Sequence, residues 1–269
     1  MSATRFHKMH GLGNDFVVID ARDQAVAMTV PRAHAIADRR TGIGCDQLIL
    51  IEPSSTHDAK MRIFNADGSE VEACGNATRC VALLLGKPAR IETIAGTLKT
   101  QPGDAQATVH MGVPAFEWEF IPLAMPMDTA NLPVGWDELE RPMAVNVGNP
   151  HVIFFIENVD AVDLERLGPT IETDPLFPQK INVNVASIVA PNHIRLRVWE
   201  RGVGLTLACG TGACATAVAA IRSGRVSSPV RVSLPGGDLT IRWREGEEIV
   251  MTGPATHVFS GEADWTQFG

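Results

Sequence analysis

The sequence has little of what marks nucleic-acid-binding and membrane proteins. Lysine and arginine total 23 against 31 acidic residues, a formal net charge of −8, and no basic cluster appears. Because phosphate contacts need clustered positive charge, the composition excludes a nucleic-acid partner. The longest apolar run, Ala213–Ile221, is interrupted by Thr216 and is far too short to cross a bilayer. A membrane partner is therefore excluded as well.

Signals for secretion, for metals and for pyridoxal phosphate are also missing. The N-terminal residues lack the apolar core of a signal peptide, which predicts a cytoplasmic protein. Five cysteines, an odd number, then indicate reduced thiols and not a disulfide framework. The cysteine and histidine spacings do not match a zinc site, and none of the five lysines lies in a glycine-rich, phosphate-binding context. We expect no metal and no cofactor.

What the chain does contain is a sizeable apolar fraction and an internal repeat. Hydrophobic residues make up 45% of the 269 residues, which suits a soluble protein of one large domain or two ordinary ones. Three separated motifs recur at a constant offset of 135 residues: Gly13-Asn14 as Gly148-Asn149, Met61–Asn65 as Leu196–Glu200, and Cys74-Gly75 as Cys209-Gly210. A fourth motif recurs at an offset of 140: Met111–Ala115 as Met251–Ala255. The pattern indicates an internal duplication.

The duplication predicts two equivalent domains of α+β type. We expect an N-terminal domain at 1–115, a C-terminal domain at 116–257, and a join near the proline-containing segment Phe116–Met143. The active site is expected in the cleft between the two domains, since ligands often bind at domain interfaces.

Each half is predicted to be rich in strands around one apolar helix. The expected strands are Phe16–Ile19, Gln47–Ile51, Lys60–Phe64, Ala89–Thr93, Val152–Ile156, Asn182–Val189 and Ile194–Trp199. The expected helices are Val81–Leu85 and Ala213–Ile221, with Gly86 and Gly224 as their stops.

The two cysteine motifs, Ala73–Cys80 and Ala208–Cys214, place a cysteine where a loop turns into a helix. Free N–H groups and the positive dipole end at that place stabilise a thiolate, and the same groups hold a carboxylate. Two such motifs suit inversion of a carbon next to a carboxylate. One sulfur removes a proton from one face, and the other returns a proton to the opposite face.

Each cysteine could instead be a buried packing residue. A lone Cys-Gly before an apolar helix is more often a buried small residue than a reactive thiol, and only the repetition favours chemistry at Cys74 and Cys209. Cys80 directly precedes the expected helix Val81–Leu85, Cys214 falls within Ala213–Ile221, and both are predicted to be core residues. Cys45 is likewise predicted to pack.

Polar residues at repeated positions are the next candidates, because buried polar groups are costly unless they are paired. Asn14 and Asn149 follow glycine ahead of strands, which suits a turn as well as a site. Asn65 ends a strand equivalent to the one that ends at Glu200–Arg201, and that charged pair suits either a surface ion pair or two separate roles. His151 is either structural or tunes a cysteine.

Together these residues make the sequence resemble diaminopimelate epimerase over nearly the whole chain. The motifs that carry the resemblance are Phe6–Phe16, Gly42–Gln47, Phe64–Glu70, Ala73–Asn76, Gly148–His151, Asn182–Asn184, Glu200-Arg201, Ala208–Cys214 and Met251–Ala255. The resemblance implies a pyridoxal-independent isomerase that interconverts LL- and meso-2,6-diaminopimelate in lysine and peptidoglycan precursor biosynthesis. It also implies two pseudo-symmetric domains, each a β-barrel-like sheet around a central helix, often assembled as a homodimer.

The resemblance further assigns roles by matched position. It implies Cys74 and Cys209 as the catalytic pair, and His151 and Glu200 as residues that modulate their pKa values. The implied substrate contacts are Asn14, Gln47, Asn65, Gly75, Asn76, Asn149, Asn182, Glu200, Arg201, Gly210 and Thr211. Among these, Asn65, Asn182 and Arg201 are expected to hold the distal carboxylate. The segment 258–269 is expected to return to the N-terminal domain.

The chain departs from the family pattern at positions outside that set. Cys45 replaces an expected alanine, Ala77-Thr78 replaces Gly-Ala, and Leu205 replaces an acidic residue. The sequence also contains no tyrosine, so a dimer contact cannot depend on that residue.

Two other functions would also make use of the cysteines. A proline- or hydroxyproline-type racemase of the same architecture would also use two cysteines, but the set of Arg201, Asn65 and Asn182 favours a substrate with a second carboxylate. A redox sensor or thiol-binding protein would explain the cysteines alone. It would leave the glycines and asparagines of the motifs without a role.

Overall fold

A computed structural model describes residues 4–71 and 74–268. Residues 1–3, Ala73 of the first cysteine motif and Gly269 of the C-terminal segment lie outside the described residues, as does Glu72. The chain divides into two compact units, Met1–Val109 with Gly253–Gly269, and His110–Thr252.

The secondary structure is mostly strands with a few helices. The strands are β1 (Thr4–Gly11), β2 (Asn14–Asp20), β3 (Gln47–Glu52), β4 (Ala59–Asn65), β5 (Glu70–Val71), β6 (Ala89–Thr93), β7 (Gly96–Pro102), β8 (Gln106–His110), β9 (Gly135–Trp136), β10 (Leu139–Glu140), β11 (Met143–Asn146), β12 (Pro150–Phe155), β13 (Asn182–Ala190), β14 (His193–Glu200), β15 (Gly204–Thr206), β16 (Val230–Leu234), β17 (Gly237–Arg242), β18 (Val250–Pro254) and β19 (Thr256–Ala263). The α-helices are α1 (Val30–Ala37), α2 (Gly75–Leu85), α3 (Leu164–Glu172) and α4 (Gly210–Arg222). Short 3₁₀ turns occur at Val159–Ala161 and Trp265–Gln267.

The two units pair their strands in the same order. In the first unit β1–β2 is antiparallel, β2–β3 parallel, β3–β4 and β4–β5 antiparallel, β4–β6 parallel and β6–β7 antiparallel. In the second unit the pairs β11–β12, β12–β13, β13–β14, β14–β15, β14–β16 and β16–β17 repeat that series of orientations. The internal repeat, predicted from the 135-residue offset, and the α+β fold, predicted from strands around one apolar helix in each half, are both confirmed.

One buried helix follows the short strand in each unit. Helix α2 follows β5, and α4 follows β15. From Gly75 to Ala82 every residue of α2 is buried, and all but one of the first eleven residues of α4 are buried as well. A helix that is buried on all sides needs small side chains, and α4 supplies them as a run of alanines and glycines.

The predicted strands and helices are all observed, but α2 begins at Gly75 and not at Val81. Its first turns contain Asn76, Thr78 and Arg79, which are polar residues that the structure buries. An apolar periodicity cannot detect such a helix start. Helices α1 and α3 were not predicted, although Thr29 and Asp163 cap them with side-chain oxygens in the usual way.

Two further segments complete the units. Strand β19 pairs antiparallel with β1, and Trp265 packs in the same apolar cluster as Phe6. The proline-containing segment 116–143 belongs to the core of the second unit, where Ile121 and Leu132 are buried.

Candidate active site

Cys74 and Cys209 are the N-caps of the two buried helices. Both have extended backbone angles, φ −145° and ψ 112° for Cys74 and φ −124° and ψ 110° for Cys209. Sγ of Cys74 accepts a hydrogen bond from the Ala77 N–H at 3.5 Å, and Sγ of Cys209 accepts one from the Gly212 N–H at 3.3 Å. Each thiol therefore takes the place that a serine or aspartate oxygen usually fills at a helix start.

The cap leaves an anion site beside each sulfur. An α-helix has no internal partners for its first N–H groups, and its dipole is positive at that end. At α2 and α4 the first residue is glycine, Gly75 and Gly210, so no side chain covers the backbone there. Each helix start can thus hold a carboxylate next to a thiol.

The polar residues of the first unit stand at one end of its sheet. Asn14 begins β2, Gln47 begins β3 and Asn65 ends β4, and strand register places Gln47 directly opposite Asn65. Gln47 Nε2 donates to Asn65 Oδ1 at 3.0 Å, and Asn65 Nδ2 donates to Ser69 Oγ at 3.2 Å. These two hydrogen bonds fix the orientation of both side-chain amides.

Asn14 connects these strands to the cysteine helix. Its Oδ1 accepts from Asn76 Nδ2 at 3.3 Å and lies 3.9 Å from Sγ of Cys74, which donates to it. Its Nδ2 donates to Asp46 Oδ2 at 3.0 Å. The structure therefore brings Asn14, Asn76 and Cys74 together and adds Asp46, which the sequence analysis missed.

In the second unit Thr211 and Asn149 lie next to Cys209. The hydroxyl of Thr211 is 3.5 Å from Sγ, and Asn149 Nδ2 donates to that hydroxyl at 3.4 Å. Asn149 Oδ1 in turn bonds to His151 Nε2 at 2.9 Å. His151 is fully buried, and burial lowers its pKa to about 3, so the imidazole is neutral near neutral pH.

Glu200 ends β14 and acts on Cys209 electrostatically. Burial raises the pKa of Glu200, while hydrogen bonds from Thr206 and Cys209 oppose that rise. Burial also raises the pKa of Cys209 well above its usual range, and the negative charge of Glu200 raises it further. Hydrogen bonds from Thr211 and Gly212 oppose the increase. Cys209 is therefore a neutral thiol in the substrate-free protein.

Asn182 and Arg201 are joined through the backbone. The N–H of Arg201 donates to Asn182 Oδ1 at 3.0 Å, and Asn182 Nδ2 donates to the Pro150 carbonyl at 2.8 Å. The guanidinium of Arg201 donates to the Gln179 carbonyl at 3.1 Å through Nη1. Asn182 is thereby held, and Arg201 keeps further donors for a carboxylate.

The remaining cysteines pack as the sequence predicts. Cys45, Cys80 and Cys214 are at most 2% exposed, and all five cysteines are free thiols. Burial raises the pKa of Cys45 and of Cys80 to about 12. These thiols are unreactive at neutral pH because the thiolate is the nucleophilic form.

Sequence reasoning missed three residues that contact this set: Asp46, Asn184 and Thr206. The family resemblance assigns no role to Asn184, yet it alternates with Asn182 along β13 and both are buried. Two buried asparagines with the period of a strand are a signal that was available, because each must find partners. Asp46 is partly exposed and Thr206 lies in a three-residue strand, so neither position has a comparable signal.

Neither a metal-binding cluster nor a membrane-spanning helix is found among the residues that the structure describes. Between 4 and 71 and between 74 and 268, no group of three or more His, Cys, Asp or Glu side chains is arranged to hold a metal ion. In the same ranges no helix has the length and apolarity needed to span a membrane.

Solved structures share this fold at low sequence identity. A phenazine biosynthesis protein of the PhzF family from Bacillus anthracis has a TM-score of 0.70 at 16% identity, covering 98% of this chain and 99% of that chain. A hydroxyproline epimerase from Agrobacterium vitis has a TM-score of 0.69 at 16% identity, covering 98% and 91%. The protein therefore has the two-domain fold of the epimerase and PhzF proteins, and at this identity the likeness concerns the fold alone.

Sequence comparison identifies the family. The diaminopimelate epimerase family model matches residues 6–117 and 143–258. A diaminopimelate epimerase from Sphingopyxis alaskensis is 71% identical over 267 residues, which cover 99% of this chain and 100% of that protein. The chain belongs to the diaminopimelate epimerase family.

Proposed function

We propose that the protein interconverts LL- and meso-2,6-diaminopimelate without a cofactor, using Cys74 and Cys209 as acid and base. The relative from Sphingopyxis alaskensis is named for this activity and is 71% identical over nearly the whole chain. A hydroxyproline epimerase shares the fold at only 16% identity, which carries no argument about the substrate. The proline-type alternative is therefore not favoured.

One observation supports the two-thiol mechanism: the same thiol-capped helix occurs twice, at Cys74 and at Cys209. In the proposed reaction one sulfur is a thiolate and removes the α-proton, becoming a thiol. The other is a thiol and delivers a proton to the opposite face, becoming a thiolate. The charge of the enzyme is unchanged, and the two thiols exchange roles when the reaction runs in reverse.

The carbanion that forms between these steps needs stabilisation. Its charge delocalises into the substrate carboxylate, where first-turn N–H groups of α2 and α4, starting with Gly75 and Gly210, supply donors. Burial and Glu200 raise the pKa of Cys209, so we propose that Cys209 is a thiol when substrate enters. The pair then titrates as a coupled unit.

The other predicted residues are proposed to bind the substrate. Asn14, Asn76, Asn149 and Thr211 lie beside the sulfurs and are assigned to the reacting end. Asn65, Asn182 and Arg201 are assigned to the distal amino-acid end, with Gln47 positioned by its bond to Asn65. Requiring a second charged end excludes simple amino acids.

We further propose that the protein acts in the cytoplasm as a homodimer. Its product would then feed lysine and peptidoglycan precursor biosynthesis, as expected for the family.

Deuterium incorporation tests the activity. The purified protein is incubated in D₂O with LL-diaminopimelate, meso-diaminopimelate, proline or 4-hydroxyproline, without added metal or cofactor, and exchange at the α-carbon is followed by NMR. We expect exchange and inversion with diaminopimelate only. Exchange of proline or hydroxyproline without exchange of diaminopimelate would replace the proposal with the racemase alternative.

Single cysteine variants test the mechanism. Cys74→Ala and Cys209→Ala should each lose roughly 10²–10⁴-fold in turnover, the usual contribution of a general acid or base. Cys45→Ala removes a buried thiol outside the site and serves as the control, with turnover close to wild type. Near-normal turnover by either Cys74→Ala or Cys209→Ala would contradict the two-thiol mechanism.

A further inference from the structure

Asn14 and Asn149 occupy equivalent positions in the two units, but they turn opposite ends of their amides toward the cysteine helices. Asn14 presents its oxygen, which accepts from Asn76 Nδ2 and from Sγ of Cys74. Asn149 presents its nitrogen, which donates to the hydroxyl of Thr211 at 3.4 Å. The difference depends on the residue that bonds to the other end of each amide, the end facing away from the cysteine helix.

The other end of the Asn14 amide contacts a carboxylate, which can only accept hydrogen bonds. Asp46 Oδ2 takes a hydrogen bond from Asn14 Nδ2 at 3.0 Å, so the amide oxygen has to face Cys74. The other end of the Asn149 amide, Oδ1, lies 2.9 Å from Nε2 of His151. A neutral imidazole either donates or accepts a hydrogen bond at Nε2, according to its tautomer. The tautomer of His151 therefore decides which way Asn149 faces.

Asn184 fixes that tautomer. Its Nδ2 donates to the Val152 carbonyl at 3.0 Å, and a carbonyl only accepts, so this atom must be the amide nitrogen. The same Nδ2 lies 3.1 Å from His151 Nδ1. Nδ1 is thus the acceptor, Nε2 carries the proton, and Nε2 donates to Asn149 Oδ1.

The four side chains form a directed series, here called the donor chain: Asn184, His151, Asn149 and Thr211. Each member donates to the next, and the last has one proton left. Asn149 Nδ2 donates to one lone pair of the Thr211 oxygen, and the Cys209 thiol donates to Glu200, so the hydroxyl proton of Thr211 is available to Sγ of Cys209 at 3.5 Å. Aligned hydrogen bonds in a buried site polarise one another and strengthen the final donor.

The first unit shows that the fold does not require the donor chain. Strand register pairs Phe16 with Gln47 where the second unit pairs His151 with Asn182. Ile49 stands where the second unit has Asn184, 135 residues later. Phe16 and Ile49 are both buried in one apolar cluster. The same sheet is therefore built with an apolar pair in one unit and a buried polar pair in the other.

We propose that Asn184 is a positioning residue for Cys209, acting through His151, Asn149 and Thr211 to aim a hydroxyl proton at the sulfur. The kinetic part of this inference rests on the proposed function. When Cys209 gives up its proton, negative charge develops on Sγ, and the donor chain is already oriented to stabilise that charge. Burial and Glu200 keep the thiol protonated beforehand, so the two effects act at different stages of the reaction.

NMR of the substrate-free protein tests the orientation without any need for turnover. The imidazole nitrogens are labelled with ¹⁵N, and the signal of His151 is assigned by its loss in His151→Phe. We expect the Nε2–H tautomer at neutral pH in the wild type and a mixture of tautomers in Asn184→Ile. A proton on Nδ1, or a charged imidazole, in the wild type would overturn the proposal regardless of activity.

Steady-state kinetics tests the consequence. Asn184→Ile should lower kcat for diaminopimelate by about tenfold, the worth of an ordinary hydrogen bond, with a smaller change in KM. The double variant His151→Phe/Asn184→Ile reproduces the apolar pair Phe16 and Ile49 of the first unit. It is therefore expected to fold even if a single variant does not. Since the donor chain works as a unit, the double variant should be no slower than His151→Phe alone.

Thr216→Val is the matched control. Thr216 is fully buried in α4, and within the described residues its hydroxyl has no hydrogen-bond partner. This substitution should leave kcat and the pH profile of kcat unchanged. Wild-type kcat in Asn184→Ile, or an equal loss in Thr216→Val, would reduce Asn184 to a packing residue. Absence of diaminopimelate turnover by the wild type would overturn the proposed function and the kinetic role together, while the tautomer result would stand.

Discussion

The hydroxyl of Thr206 donates a hydrogen bond to Oε1 of Glu200 over 2.6 Å. This bond and one from Cys209 favour the ionised carboxylate, whereas burial favours the neutral acid and raises the pKa of Glu200. Thr206, in the three-residue strand Gly204–Thr206, therefore limits how far burial raises the pKa of Glu200. Because the negative charge of Glu200 raises the pKa of Cys209, the Thr206 hydrogen bond also affects the pKa of the proposed acid.

Thr206→Val should move the acid limb of the kcat/KM profile to higher pH. The variant loses the donor, so the pKa of Glu200 rises further and the carboxylate is protonated at a higher pH than in the wild type. Thr206→Ser keeps the hydroxyl and should restore the profile. The measurement is kcat/KM for diaminopimelate across the acidic range in all three proteins. An unshifted profile in Thr206→Val would show that the ionisation of Glu200 does not limit the reaction.

Most of the fold could be predicted from the sequence because its strands have local apolar patterns and the same motifs recur in both halves. Strand β3 contains the continuous apolar run Leu48–Ile51, and β13 is rich in valine, isoleucine and alanine; the boundaries of both agree within about two residues. The start of α2 at Gly75 was missed since buried Asn76, Thr78 and Arg79 hide the helical period. Helix α3 was missed because it contains Pro169, which usually argues against a helix interior.

The candidate site was predictable as a list of positions but not as a network. The offset and the motifs indicate Cys74 and Cys209, yet no spacing reveals that Asn14 and Asn149 face opposite ways. That difference depends on Asp46 and on the tautomer of His151, and both are set by partners distant in sequence. Hydrogen-bond direction is a property of the folded neighbourhood, so the sequence alone could not supply it.

Gly212→Ala should destabilise the second unit and disturb Asn184. A Cβ at this position would lie 2.7 Å from Asn184 Oδ1 and 3.0 Å from Val198 Cγ2. Asn184 cannot easily move away, because its nitrogen is bonded to His151 and to Val152. We expect a loss of about 1–3 kcal/mol in the free energy of unfolding, typical of overpacking.

Ala77→Gly supplies the comparison, since Ala77 is the equivalent residue of α2 and is already accommodated there. It should lose about 1 kcal/mol through helix propensity alone. Urea unfolding measures both changes. A Gly212→Ala protein as stable as the wild type would mean that the α4 start has more room than its contacts indicate.

His151 should make the stability of the protein depend on pH. Burial lowers its pKa to about 3, from a usual value of 6.5. Between these values the unfolded chain binds a proton that the folded protein does not, so stability is complete above the higher value and falls as pH decreases. We expect the wild type to lose about 2–3 kcal/mol more than His151→Phe/Asn184→Ile between about pH 7 and about pH 4.5.

The measurement is urea unfolding of both proteins at the two pH values. Other titrating groups contribute alike to both proteins, so the difference between them reports on His151. Equal losses in the two proteins would indicate that His151 becomes protonated in the folded state and would contradict its neutral role in the donor chain.

Arg201→Lys should raise KM for diaminopimelate by about tenfold or more with a smaller change in kcat. The proposed contact is with the distal carboxylate, which does not react, so its loss weakens ground state and transition state alike. Lysine keeps the charge but cannot form the paired, planar hydrogen bonds of a guanidinium. Arg195→Lys is the control, because Arg195 lies on β14, the strand that ends just before Arg201, in an exposed ion pair with Asp160. Steady-state kinetics on the two variants decides the matter: a fall in kcat at unchanged KM for Arg201→Lys would instead place Arg201 near the reacting carbon.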